Sequence, residues 1–137
     1  MSAIKKFKSG KKSTVEKPVI TLQEAIEIYK DNENEITYLK LDIDGAEFEV
    51  LPQIVEAGLL DRIQQLSVTM NTGSPHLTKR QIVPKLNEIL QTFKKMQENY
   101  GFHLLSSSTD GCKHKKFCLT KTYHNYHDLL FYKSKSA

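Results

Sequence analysis

Two aspartates and a glutamate, Asp42, Asp44 and Glu47, stand directly behind an apolar run from Ile36 to Ile43, with Gly45 among them. Carboxylates so grouped can serve as general bases, hold a hard cation or orient a polar substrate. The same groups can also cap the following helix and favour its positive end. Strand, acids, glycine, helix is the order in which open α/β sheets build a site at the carboxyl edge of a strand. Residues 36–51 are therefore the candidate site, and the rest of the chain must supply the elements that position it.

Other chemistries fit less well. Aligning Gly45 with the glycine of an EF-hand loop puts Lys40 and Leu51 at the first and last ligand positions, where carboxylates are needed. Cys112, Cys118, His124 and His127 have zinc-ligand side chains, with His114 nearby, but their spacing is C-x5-C-x5-H-x2-H. Structural zinc sites use tighter cysteine pairs and wider histidine pairs, so the pattern reads as free thiols and surface histidines, with no metal site. The six glycines, at 10, 45, 58, 73, 101 and 111, form neither GxGxxG nor a Walker sequence. A dinucleotide or adenosyl group normally needs such a turn, because only glycine lets the backbone approach that closely.

Composition bounds the rest. The 137 residues suffice for one domain with a single core. No apolar run reaches the length of a membrane span, and the first twenty residues lack a signal peptide's apolar segment. Two cysteines give no disulfide framework, which makes a reducing compartment, cytoplasmic by default, the expectation. The net charge of +4 hides six lysines in residues 1–17, ten acids in 18–60 and six lysines in 113–137. The basic ends read as solvated, with weak attraction to nucleic acid or anionic membrane as the functional alternative.

The elements follow from pattern. Residues 1–17 read as a basic disordered tail and 18–137 as a single α/β domain. Thr21-Leu22-Gln23-Glu24 is a capping box opening a helix to Tyr29. A strand spans 36–43, and its apolar positions suit cover on both faces. A helix follows, with Pro52 expected in its first turn or at a break and Gly58 as its stop. Ile63 to Met70 is the next strand. Thr78 to Gln81 is a second capping box. It opens a long helix with Ile82, Leu86, Ile89, Leu90, Phe93, Met96 and Tyr100 as its buried stripe. A strand from Phe102 to Leu105, a polar loop from Ser106 and a last strand, Asp128 to Lys133, complete the chain. The alternation predicts a mostly parallel sheet with an antiparallel final strand.

The DIDG at 42–45 resembles the first motif of haloacid dehalogenase-type phosphatases, in which Asp42 would be the nucleophile and Asp44 the general acid. Ala46 stands where a threonine is usual. Ser67 or Thr69 and Lys79 would fill the later motifs, while Asp110 and Asp128 stand alone where paired magnesium ligands are needed.

A wider resemblance covers about residues 18–133. YLKLDIDGAEFEVLPQIVEAGLL, followed by IQQLSVTMN, is similar to the second half of FkbM-type methyltransferase domains. That family's strand reads roughly hLKhDhEGhE, matched here by Lys40, Asp42, Asp44, Gly45 and Glu47, with Asp44 replacing a glutamate. A "vL" helix and a QLhhEhH strand follow, matched by Val50, Leu51, Gln65 and Leu66. The EhH ending falls on Thr69 and Asn71, so its carboxylate and imidazole are absent.

The resemblance implies a partial Rossmann-like class I methyltransferase sheet with helices on both faces and S-adenosylmethionine as methyl donor. It implies Asp42, Asp44 and Glu47 as catalytic residues, Asp42 and Asp44 beside the donor, and Asn71 and His76 on the side of an unidentified acceptor, with a hydroxyl as one candidate. It further implies that the sheet's fourth to seventh strands are present. The glycine-rich cofactor loop would precede residue 18, so a fragment or degenerate domain, inactive alone, is the expectation. The edge at 36–43 would then be open to self-association or a partner, and a non-catalytic interaction module is the rival reading.

Overall fold

The computed structural model describes residues 3–8, 14–29, 34–73, 77–110 and 126–134. They fall into two compact units, Met1–Asn34 and Glu35–Ala137. The boundary thus lies after Asn34, later than the expected division at residue 17.

In the first unit, β1 (Ala3–Lys8) pairs antiparallel with β2 (Thr14–Val19), Ala3 opposite Val19 and Lys8 opposite Thr14. The disordered tail expected from the lysines is therefore corrected to a hairpin. Ile4, Phe7, Val15 and Val19 are β-formers on either side of Gly10, and a hairpin needs only such a local pattern. Helix α1 (Leu22–Ile28) starts at the capping box read from the sequence. The amide of Glu24 donates to Thr21 Oγ1 at 3.1 Å, and Thr21 N donates back to Glu24 Oε2 at 2.8 Å.

The second unit runs β3 (Ile36–Leu41), α2 (Glu47–Glu56), a 3-10 turn (Leu59–Arg62), β4 (Ile63–Asn71), α3 (Lys79–Tyr100), β5 (Phe102–Asp110) and β6 (Tyr126–Lys133). The sheet order is β3-β4-β6-β5. β3 and β4 are parallel, and β6 is antiparallel to both β4 and β5. Three strands run one way and the last runs back between two of them, the mixed α/β sheet that the alternation predicts.

Side-chain alternation divides the sheet into two faces. Leu41, Leu66, Val68 and Met70 share one face and are buried, as are Phe48, Leu51 and Ile54 of α2 and Ile89 and Met96 of α3. Each such side chain contributes roughly 1.5–3 kcal/mol by leaving water. Both crossovers, β3–α2–β4 and β4–α3–β5, step across the sheet in one direction. Right-handed crossovers then put both helices on one face. Within this unit the expected helical cover is met on that face. On the other, Tyr38, Gln65, Tyr132 and His103 form an exposed rung.

Several local readings differ from the outcome. Pro52 lies inside α2, where the ladder bond it cannot make would have gone to Phe48. Leu86 and Leu90, expected in the buried stripe of α3, are 38% and 61% exposed. α2 has 10 residues against 22 in α3, so it can line fewer than half of the longer helix's turns. β5 continues through the serines expected as a loop, because β6 supplies a ladder from Ser106 to Asp110; pairing overrides weak strand propensity. Gly58 and Gly101 stop their helices at φ 69°, as read. Among the described residues, no helix is long and apolar enough to cross a membrane.

Candidate functional site at the carboxyl edge of the parallel strands

β3 ends at Leu41, and Asp42 is the first residue beyond it. Its side chain is 56% accessible, with Lys40 Nζ 3.9 Å from Oδ2. So exposed a pair contributes less than about 1 kcal/mol, and Asp42 remains open to solvent.

The chain then turns sharply. Asp44 has φ 55° and Gly45 φ 98°, two successive residues in the left-handed region. That conformation costs a non-glycine residue on the order of 1 kcal/mol, so something must hold it. Glu47 does so. Its carboxylate is fully buried. Oε1 accepts from Ile43 N at 2.6 Å, and Oε2 accepts from Gly45 N at 2.8 Å. As the first residue of α2, Glu47 also sits where the helix dipole favours a negative charge. Of the three acids grouped by sequence, it is the one turned inward onto the backbone.

Asp44 is tied to the neighbouring strand. Asn71, the last residue of β4 and 3% exposed, donates from Nδ2 to Asp44 Oδ1 at 2.7 Å. Asn71 Oδ1 accepts from Gly73 N at 3.0 Å. The ends of the two parallel strands are thus joined through side chains, and Asp44 and Asn71, both named from sequence, stand together. His76 lies outside the described residues.

Sequence reasoning set aside Asp128 as isolated. In the structure it is opposite Thr69 in the β4–β6 ladder, and Thr69 Oγ1 donates to Asp128 Oδ1 at 2.7 Å. A carboxylate from the antiparallel strand therefore meets the threonine standing where the resembling motif has glutamate. The sequence pattern predicts a reversed final strand, which carries the start of DLLFYK to the carboxyl edge, but its place beside β4 comes only from the observed register. Cys112, Cys118, His114 and His124 lie outside the described residues. Among the described residues, no group of three or more His, Cys, Asp or Glu side chains is placed to hold a metal.

A mixed α/β sheet with Asp42 and Asp44 just beyond the carboxyl end of β3, and Asn71 at the end of the parallel strand β4, puts polar groups where open α/β sheets build a site. The family model for the methyltransferase FkbM domain matches residues 2–104, and the chain belongs to that family. No curated protein and no solved structure matches the chain.

Proposed function

We propose that the carboxyl edge of β3 and β4 is the acceptor side of a methyl-transfer site, with S-adenosylmethionine as donor and a hydroxyl-bearing acceptor. The observation that carries this reading is the 2.7 Å bond from Asn71 to Asp44, which fixes one carboxylate at the junction of two parallel strands. Methyl transfer is an in-line displacement, so positioning supplies much of the catalysis. Asp44, held by Asn71, orients the acceptor hydroxyl or takes its proton. Asp42 offers an exposed carboxylate on the same edge, suited to a cationic donor. Glu47 acts as a positioning residue, because both its oxygens hold the turn that presents Asp44.

When bound, S-adenosylmethionine supplies a methyl group activated by a cationic sulfur. The described residues fit its charge. They do not form a glycine-rich turn of the kind that cradles the adenosyl group. Weak donor binding and little transfer by this chain alone are the expected behaviour.

Two ligands differing in one charge test the assignment. Amide shifts of residues 42–46 are followed while S-adenosylmethionine or its neutral counterpart, S-adenosylhomocysteine, is added. The cation should bind about two- to five-fold more tightly, the scale of one exposed charge pair. Asp42→Asn should erase the difference. Equal responses to both ligands, or none at this turn, would sink the reading. Magnesium-dependent phosphatase activity abolished by Asp42→Asn would replace it with the phosphatase one.

A further inference from the structure

The β4–β6 ladder carries a carboxylate that the methyl-transfer reading leaves unused. Asp128 lies directly opposite Thr69, is half-buried, and accepts from the Thr69 hydroxyl on Oδ1 at 2.7 Å. Among the described residues, nothing bonds to its Oδ2. Aspartate is depleted in strands, and the pairing with Thr69 engages only one of its oxygens.

The distribution of buried polar groups points to the same place. Among the described residues, four polar side chains are buried: Glu47, Thr69, Asn71 and Thr92. Thr92 bonds within its own helix, to the carbonyl of Glu88 at 2.9 Å. The other three gather at the carboxyl edge. Burying a polar group costs free energy unless a hydrogen bond offsets it, so packing alone does not call for three of them there. Thr69 and Asn71 stand two residues apart on β4 and share a face, about 6.6 Å from each other. Asn71 holds Asp44 from the β3 side, and Thr69 holds Asp128 from the β6 side. The end of β4 is thus flanked by a carboxylate on each side.

The sequence carries an independent sign. Thr69 stands where the resembling β4 motif has glutamate. A glutamate there would face Asp128 across the ladder, and like charges directly opposite one another destabilise a sheet. The pair therefore accommodates one carboxylate, from either strand, and in this chain β6 supplies it. The family match ends at residue 104, short of Asp128.

We propose that Asp128 is the second acceptor-binding carboxylate of this edge. Its Oδ2 accepts a hydrogen bond from a second hydroxyl of the same acceptor whose first hydroxyl Asp44 engages. The acceptor is therefore a diol. Ionised carboxylates only accept hydrogen bonds, which favours a neutral diol over an anionic compound. The inference rests on the acceptor-side reading of Asp44 given above and adds no chemical step to it.

The probes are cis-1,3-cyclohexanediol and cyclohexanol, titrated into the full chain without methyl donor and followed by the amides of Asp44, Thr69, Asn71 and Asp128. Compounds this small should bind weakly, in the millimolar range or above. The diol should bind roughly tenfold more tightly, the scale of one hydrogen bond to a charged group. Asp128→Asn keeps an oxygen for the Thr69 hydroxyl, so the denaturation midpoint should hold while the preference disappears. A merely structural Asp128 would leave the preference intact in this variant. Thr69→Glu combined with Asp128→Thr moves the carboxylate back to β4 and should restore the preference, whereas Thr69→Glu alone should lower the denaturation midpoint. Equal affinity of the native chain for both probes, no response to either, a preference that survives Asp128→Asn, or a folded double variant without it would each overturn the proposal. Because no methyl donor is present, failure here leaves the comparison of S-adenosylmethionine with S-adenosylhomocysteine untouched, and failure of that comparison leaves the diol preference readable.

Discussion

Two strand-to-helix junctions lie at the same edge of the sheet, and they satisfy backbone amides in different ways. After β4, the chain reaches α3 through a surface cap. Gln81 Oε1 accepts from Thr78 N at 3.1 Å and from the Thr78 hydroxyl at 2.9 Å, and both residues are exposed. After β3, the helix cap is Ala46, whose methyl group cannot accept a hydrogen bond. There a buried Glu47 bonds to the amides of Ile43 and Gly45 across a left-handed turn. The first arrangement starts a helix. The second also fixes the loop carrying Asp42 and Asp44, at the expense of a buried charge. This contrast separates a junction that only starts a helix from one that also holds the loop before it.

The largest test of the contrast is Glu47→Ala. It strands two amides, of half-exposed Ile43 and buried Gly45, each bonded to a buried charged acceptor, and should lower stability by about 3 kcal/mol. Glu47→Gln should recover little, because its NH2 group would face one of the two donors. Denaturant unfolding measures both. If either variant lost less than about 1 kcal/mol, a figure more typical of exposed caps, the buried junction would differ little from the surface one. Asn71→Ala comes next. It removes the bonds to Asp44 and to Gly73 N, a loss of about 1–2 kcal/mol. Its sharper consequence is local: hydrogen exchange at Gly45 and Ala46 should rise while α3 is unaffected. A change spread evenly over the unit would argue that Asn71 is only a packing residue.

How much of this was readable in the chain depends on range. The strand read at 36–43, the capping box at Thr21, the glycine stops and the reversed final strand all follow from local pattern, and the structure has them, with β3 ending two residues early at Leu41. Asp42 and Asp44 were legible because strand and acids are adjacent in sequence. The division of labour among the acids was not. Whether Glu47 faces solvent or the turn depends on the positive φ of Asp44 and Gly45, which no periodicity encodes. Asp128 was missed because its partner, Thr69, is 59 residues away and is brought near only by the β4–β6 register. The exposed Leu86 and Leu90 show the same limit: helical spacing finds the stripe, but tertiary neighbours decide how much of it is covered.

Weaker effects should appear at the exposed caps. Gln81→Ala removes the return bond to Thr78 and should cost about 0.5–1 kcal/mol, read as fraying of the first turn of α3 by hydrogen exchange. The smallest effect belongs to Glu24, the corresponding residue at the start of α1. The hydrogen bond from the Thr21 amide, aided by the Thr21 hydroxyl, holds its carboxyl below the usual glutamate range. A depressed folded-state pKa means that the ionised form is favoured by folding. The contribution is therefore fully present above the ordinary glutamate value and is lost as the pH falls through the lower folded one. Acid titration followed by NMR should show the Glu24 carboxyl and the amide of Thr21 moving together in that window. Because the group is exposed, global stability should barely change. If the α1 amides lost protection before Glu24 took up its proton, the cap would be following the helix rather than holding its first turn.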